Sequence, residues 1–159
     1  MSDRCSLSLV VVSLCALLGG CQPGRLMEFG PMATVSATDI MPGCEGATPL
    51  GEFSTEIRYG FPEDMPSGDL LLDVNRAVLG DGEMMVFPLS ESVALDDGDT
   101  VCVWSSGTEE HDTFDNDSLN EAQDCQEVDE STVSTVFALD MTSGGCTLSV
   151  RVPAVVSTP

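Results

Sequence analysis

The stretch that decides the fold is STVSTVFALDMTSGGCTLSVRV, residues 131–152. Apolar side chains recur at every second position on both sides of TSGG (142–145). This period places successive side chains on opposite faces of a strand, and a glycine pair supplies the positive φ that a tight turn needs. The stretch therefore predicts a hairpin of two antiparallel strands. The residues predicted to share its apolar face are Val133, Phe137, Leu139 and Met141 in the first strand, and Cys146, Leu148, Val150 and Val152 in the second.

The same period of two continues through most of the chain after residue 32, interrupted by Gly, Pro, Asp and Ser. FSTEIRYGF (53–61) predicts a strand with Phe53, Thr55, Ile57 and Tyr59 on one face, and DLLLDVNRAV (69–78) predicts one with Leu70, Leu72, Val74 and Arg76 in line. Further strands are expected at 33–39, 84–89, 92–95 and 99–105. About eight short strands without a convincing helical stripe predict an all-β antiparallel sandwich.

The amino-terminal segment has the composition of an export signal. LSLVVVSLCALL (7–18) is an apolar run of 12 residues, whereas a helix needs about 20 to cross a membrane. The alternative, a buried core helix, is disfavoured by the polar residues before the run and the glycines after it. The run therefore indicates a signal peptide.

Leu18-Gly19-Gly20-Cys21 follows directly and resembles the lipobox of bacterial lipoproteins. The resemblance implies cleavage before Cys21, a diacylglycerol on its thiol and attachment to a membrane of the cell envelope. Gln22 at the next position implies the outer membrane if the cell has one. The expected organisation is a signal peptide at 1–20, a lipidated tether at 21–32, where Pro and Gly are frequent, and a β-sandwich domain at 33–159.

The charge of the chain excludes one class of partner. It has 27 acidic residues against five arginines and no lysine, which gives a net charge of -22. Binding to nucleic acid depends on cationic side chains that neutralise phosphates. We therefore expect no nucleic-acid partner. A saline habitat, in which salt screens the self-repulsion, is an alternative reading of the same acidity.

Four cysteines remain once Cys5 and Cys15 leave with the signal and Cys21 is lipidated. An exported chain meets an oxidising compartment, so two disulfides are expected. Three pairings are open. The pairing favoured from chain order joins Cys102 to Cys125 and Cys44 to Cys146. A zinc site is disfavoured because no CxxC pair occurs and His111 is the one histidine.

Residues 105–131 are expected to form a long acidic loop, since ten acids and no base lie between Glu109 and Glu130. Carboxylates are the ligands that calcium prefers. The sequence therefore offers a candidate Ca²⁺ site or a contact surface for a protein or cationic partner, although the spacing fails the EF-hand pattern. A solvated loop that keeps the surface soluble is the alternative. The candidate ligands are Asp112, Asp115, Asp117 and Glu121.

LDDGDTVCVW (95–104) resembles the corner that precedes the sixth strand of immunoglobulin-like domains, with Asp96, Gly98 and Cys102 at matching positions. Thr100 replaces the tyrosine of that pattern. A generic Asp-Gly hairpin turn is the alternative. In either case Cys102 and Trp104 are expected to point the same way, with the tryptophan buried beside a disulfide.

No catalytic constellation stands out. The chain has no GxSxG elbow and no lysine for base or Schiff-base chemistry. The leading hypothesis is a lipid-anchored, non-enzymatic binding or structural module. The alternatives are a small exported hydrolase that uses two carboxylates and a calcium-dependent adhesion module.

Overall fold

The computed structural model describes residues 24–40, 50–109 and 117–158. They form ten strands and a short 3-10 turn at Pro62–Asp64. This confirms the predicted all-β class. In the described ranges, no helix has the length and apolarity to span a membrane. The strands are β1 (Arg25–Phe29), β2 (Met32–Thr38), β3 (Leu50–Gly60), β4 (Asp69–Gly80), β5 (Met84–Pro88), β6 (Ser92–Leu95), β7 (Asp99–Glu109), β8 (Asp117–Val128), β9 (Ser134–Ser143) and β10 (Cys146–Ser157).

The strands lie in two antiparallel sheets, as expected for a sandwich. Sheet A has the order β5-β2-β10-β1-β6, with β9 on the other side of β10. Sheet B has the order β4-β3-β7-β8. Within sheet A, β2 and β1 pair with successive parts of β10 along the same edge. One strand further out, β5 pairs with β2 and β6 pairs with β1. Sheet A is therefore four strands wide. The two strands beyond the eight predicted are β1 in sheet A and β8 in sheet B.

The hairpin of residues 131–152 forms as the alternation predicts. Ser143 pairs with Cys146, and Gly144 and Gly145 have φ of 54° and 110°. The side chains of Phe137, Leu139, Met141, Cys146, Leu148, Val150 and Val152 are all fully buried. Val133 differs from the prediction because it precedes β9 and is 69% exposed.

Two β-bulges overturn the face predicted for β4. The predicted face of β3 is correct, with Phe53, Thr55, Ile57 and Tyr59 buried. Its neighbour β4 carries an extra residue at two places along the pairing. Each bulge shifts the side-chain alternation by one position. The residues of β4 that face the core are consequently Leu71, Val74, Ala77 and Leu79, instead of Leu70, Leu72, Val74 and Arg76.

The core fills the space between the sheets with aliphatic side chains from both of them, together with a few aromatic rings. Phe29 links the two layers, because its ring centroid lies 4.8 Å from that of Tyr59 on β3 and 6.0 Å from that of Phe137 on β9. Burying a side chain of this size contributes about 1.5–3 kcal/mol. Aromatic contacts at these separations add to that burial.

The folded domain begins earlier than predicted. Residues 21–32 were expected to form a tether, but Arg25–Phe29 pair with β10 and β6 inside sheet A. Met27 is fully buried and Phe29 is 3% exposed. Arg25 is also buried, and its guanidinium donates to the carbonyl oxygens of Asp129 and Thr132. This short strand was not predicted, because the Gly and Pro residues around it are typical of a linker.

The corner at residues 95–99 connects the two sheets. Asp96 accepts a backbone hydrogen bond from Asp99 and donates its own N–H to the Asp99 carboxylate, with Gly98 at φ 82°. The corner joins β6 of sheet A to β7 of sheet B. It is therefore not the generic hairpin turn, because a hairpin would join neighbours within one sheet.

Candidate functional site

The predicted acidic loop is for the most part a pair of strands. Residues 105–109 complete β7, and β8 runs from Asp117 to Val128 in antiparallel register with it. A loop over 105–131 is therefore wrong; only 110–116 lie outside the described residues between these strands. The pattern was hard to read because β8 is an edge strand that buries only Leu119 and Val128 fully. Its other side chains are mostly polar and face solvent.

Cys102 and Cys125 are joined by a disulfide, the pairing favoured from the sequence. The two residues are directly opposed in register on β7 and β8, with a Cα–Cα distance of 4.0 Å. The bond therefore links neighbouring strands of one sheet, unlike the inter-sheet disulfide of immunoglobulin domains. Cys146 is also disulfide-bonded. Cys44 lies outside the described residues, so its pairing with Cys146 stays a prediction, as does the lipidation of Cys21.

The candidate calcium ligands do not form a centre in the described part of the chain. Asp112 and Asp115 lie outside it. Asp117 begins β8 opposite Glu109, and Glu121 lies four residues further on. Among the described residues, no three His, Cys, Asp or Glu side chains come close enough to hold a metal ion. Calcium stays a prediction for this region.

Trp104 lies on the outer face of sheet B, although it was expected to be a core anchor. Its neighbours Val101 and Val103 enter the core between the sheets, whereas Cys102 and Trp104 do not belong to that cluster. The loop after β3 covers the indole, whose N–H donates to the carbonyl oxygen of Pro66 at 3.1 Å. Trp104 is 6% exposed as a result. The prediction that Cys102 and Trp104 share a face is confirmed.

Gly68 allows the loop after β3 to pack closely against the indole of Trp104. A Cβ at this position would lie 2.4 Å from Cη2 of Trp104 and 2.4 Å from the carbonyl oxygen of Tyr59. Only glycine lets the backbone approach the ring so closely. The Gly68 carbonyl in turn accepts a hydrogen bond from Arg58 at 3.0 Å. The loop is thereby attached to the outer face of sheet B.

Beside this cover, the outer face of sheet B carries a shallow polar groove made of two adjoining depressions. The first, of about 360 Å³, is lined by Ser54, Thr55, Glu56, Asp73, Asn75, Ser106, Gly107 and Thr108. The second, of about 270 Å³, is lined by Glu56, Arg58, Met65, Pro66, Trp104, Ser105, Ser106, Glu121, Ala122 and Gln123. Glu56 and Ser106 line both depressions, so the two lie side by side on this face. We call this surface the sheet B groove.

The polar side chains of the sheet B groove are acidic, amide and hydroxyl groups together with the guanidinium of Arg58. Glu56 and Asp73 are directly opposed on β3 and β4. Arg58 forms an ion pair with Glu56, with a nitrogen–oxygen distance of 2.9 Å. Cross-strand neighbours have Cβ atoms about 4.5–5.5 Å apart. The groove can therefore offer two carboxylates and several hydroxyls to a polar or cationic ligand.

The described arginines are all engaged in internal contacts. The contacts are Arg25 with the carbonyls of Asp129 and Thr132, Arg58 with Glu56, Arg76 with Glu52, and Arg151 with Asp140. Hydrogen bonds from Arg151 and Ser149 lower the pKa of Asp140. Hydrogen bonds from Ser131 and Thr132 likewise lower the pKa of Asp129. Because so few cations are present, the described surface stays strongly acidic.

Glu109 is a buried carboxylate that the sequence analysis did not single out. It is 1% exposed and continues the inward-facing positions of β7, and its Oε2 lies 3.4 Å from Sγ of Cys146. A buried acid is uncommon because desolvation penalises its charge. The alternation through Val101, Val103 and Ser105 could have identified it as inward-facing.

Comparisons with known proteins find only distant structural similarities. No protein-family model matches the chain, and no curated protein matches it. Among solved structures it is similar to a C2 domain of plant extended synaptotagmin 1, at 11% identity and a TM-score of 0.37 over 88% of this chain and all of that one. It is also similar to a chain from a study of CC2D1B in ESRCT-III activity during mitotic reformation of the nuclear envelope. There the identity is 8% and the TM-score 0.36, over 83% of this chain and 55% of that chain. At these TM-scores neither likeness carries an argument.

Proposed function

We propose that the chain is an exported lipoprotein, held to a membrane of the cell envelope through Cys21, whose β-sandwich is a non-enzymatic binding module. The observation that carries the exported location is the disulfide between Cys102 and Cys125. Disulfides persist in oxidising compartments and are rare in the cytosol. The apolar leader at 7–18 and the lipobox-like sequence before Cys21 support the same location.

The start of β1 determines how closely the anchor would hold the domain. Three residues separate Cys21 from Arg25, the first residue of sheet A. A fully extended chain spans about 3.5 Å per residue, so the sandwich begins within roughly 14 Å of the lipidated cysteine. The binding module is therefore presented close to the membrane surface, with a much shorter tether than the residues 21–32 expected from composition.

Metabolic labelling with a fatty-acid probe tests the anchor. We expect the full chain to incorporate the label and the Cys21→Ser variant to lose it. Cys15→Ser, within the leader, is the matched control and should label as the parent does. Label on Cys21→Ser, or an unprocessed chain in the cytosol with free thiols, would refute the proposal.

The sheet B groove is the proposed ligand surface. Asp73 and Glu121 supply net negative charge, because Glu56 and Arg58 neutralise each other. This arrangement favours a small cationic ligand with hydrogen-bond donors. Titration with a polyamine, followed by amide chemical shifts, should perturb β3, β4 and β7. Asp73→Asn should weaken the binding, whereas Asp97→Asn, at the corner before β7, should not. Equal effects of the two variants would indicate nonspecific attraction to the acidic surface.

A carboxylate-based hydrolase is the second candidate, favoured by the opposition of Glu56 and Asp73. A retaining glycosidase needs two carboxyl groups about 5–5.5 Å apart. Hydrolysis of aryl glycosides that is abolished by both Glu56→Gln and Asp73→Asn would support this candidate. Activity that survives both substitutions would exclude this pair.

A further inference from the structure

The free edge of sheet A at β5 differs from every other strand edge described. Among the described strands, β5 pairs only with β2, and its sequence Met84–Pro88 contains no charged residue. Met84 is 65% exposed, Met85 40% and Val86 54%, so apolar side chains reach solvent on both faces. An exposed apolar edge strand is a template for pairing with another chain.

The other edges of the described sheets carry features that block such pairing. β4 has two bulges, and Arg76 at one of them adopts a left-handed φ of 56°. β8 and β9 shield one another, because Asn120 accepts the N–H of Thr142 and Asp124 accepts the N–H of Ala138 at 2.8 Å. β6 is only four residues long. Proteins use bulges, charges and short strands to prevent edge pairing. β5, at five residues, is also short, but it has no bulge and no charged side chain, and Pro88 lies at its end.

The uncharged surface extends from β5 onto the outer face of β2. Thr34 pairs with Val86, and Met32 pairs with Pro88. Ala33 and Val35 point into the core, so Met32 and Thr34 face outward beside the exposed side chains of β5. An added strand would thus extend an uncharged outer face, with the side chains of Met84 and Val86 on β5 as its cross-strand neighbours.

The residues around β5 determine the charge of its partner. Asp81 and Glu83 precede the strand and Glu91 follows it, and all three are exposed. The described arginines are engaged elsewhere, so they do not neutralise these acids. A second copy of the chain would bring the same acids and a net charge of -22. Electrostatic complementarity therefore favours a basic partner over self-association.

We propose that β5 is a docking edge for an extended segment of a partner protein, which adds a strand to sheet A. The segment has apolar or hydroxyl side chains at its centre and basic residues at its ends. Strand addition of this kind gains affinity from main-chain hydrogen bonds and specificity from alternate side chains. This surface is separate from the sheet B groove and does not depend on the lipid anchor.

A synthetic peptide with alternating valine and threonine between pairs of lysines is the probe. We expect it to bind the full chain and to slow amide hydrogen exchange at Met84 and Val86, whose N–H groups point away from β2. Val86→Lys should weaken binding by about tenfold or more, because it adds a positive charge to the edge that receives the positively charged peptide. Val78→Lys, on the bulged strand β4 and of similar exposure at 43%, is the matched control and should bind as the parent does.

Two further measurements make the test decisive. Met84→Lys, at the most exposed position of β5, should also weaken binding. It serves as the test variant if Val86→Lys perturbs the fold. A peptide with glutamate in place of lysine should bind much more weakly. Equal binding by Val86→Lys and the parent, exchange protection confined to the sheet B groove, or a dimer of the full chain that Val86→Lys dissociates would each overturn the proposal.

Discussion

Asp124 on β8 accepts a hydrogen bond from the main-chain N–H of Ala138 on β9 at 2.8 Å, and this contact joins the edges of the two sheets. Asn120, four residues earlier on β8, accepts the N–H of Thr142 in the same way. Side chains thus replace the ladder that would close the sandwich on this side. The contact also occupies an N–H of an edge strand that would otherwise be open to another chain.

Removal of the Asp124 carboxylate should destabilise the protein. We expect Asp124→Ala to lower the free energy of unfolding by about 1.5–3 kcal/mol, since the hydrogen bond involves a charged acceptor. Asp124→Asn keeps an acceptor and should cost less. Denaturant unfolding measures both. Glu127→Ala, an exposed acid of the same strand, is the control, and an equal loss in that variant would show that β8 is sensitive to any change.

The Cys102–Cys125 disulfide should stabilise the domain substantially. The two residues are 23 apart in the chain. In the chain-entropy model, a loop of this length contributes about 3 kcal/mol. The double variant Cys102→Ala and Cys125→Ala should therefore unfold at a markedly lower denaturant concentration than the parent. An unchanged midpoint would mean that the reduced, unfolded chain is already constrained in this region.

The cover over Trp104 can be followed by fluorescence, because the chain contains one tryptophan. In Gly68→Ala the added methyl group would collide with the indole, so the loop should lift and the emission should shift to longer wavelength. Gly24→Ala is the control, since its nearest neighbour is 3.8 Å away. An unshifted emission in Gly68→Ala would show that the loop adapts without exposing the ring.

Tyr59 should titrate at unusually high pH. Burial, followed by the charges of Asp69 and Glu91, raises its pKa to about 12 from 10.0. Because the pKa is higher in the folded state, the stability it reflects is complete below pH 10.0 and is lost as the pH rises toward 12. The chain has one tyrosine, so its phenolate absorbance reports the folded and denatured pKa directly. Identical values in both states would contradict this prediction.

Asp140 should contribute to acid sensitivity. Hydrogen bonds from Arg151 and Ser149 lower its pKa below the ordinary value of 3.8. A depressed pKa in the folded state gives stability that is present above 3.8 and is lost as the pH falls through the folded pKa. Asp140→Asn should therefore unfold with a shallower dependence on pH between about 5 and 2. Because the pair is exposed, added salt should reduce the difference.

Strict alternation explains why the hairpin and β3 were predictable. Phe137, Leu139 and Met141 occupy every second position without interruption, and a glycine pair follows. The faces of β4 were not predictable, because an extra residue beside Ser54 and another beside Arg58 depend on the pairing with β3. β8 was missed because an edge strand needs few apolar residues. β1 was missed because Gly24 and Gly30 flank it and suggested a linker.

The site was less predictable than the fold. Cys102 and Cys125 were favoured as partners from chain order, and the structure places them in direct register. The groove beside Trp104 was not foreseen, since it depends on which carboxylates become cross-strand neighbours. Glu56 and Asp73 are 17 residues apart in the sequence and meet only through the bulged register of β3 and β4. Such long-range juxtaposition has no local signature.

The position of β1 has a mechanical consequence. This strand lies between β10 and β6, and Arg25 at its start also donates to the carbonyls of Asp129 and Thr132. A pull directed along β1 therefore loads two rows of backbone hydrogen bonds at once. An edge strand could detach one hydrogen bond at a time, whereas the hydrogen bonds on both sides of β1 bear the force together.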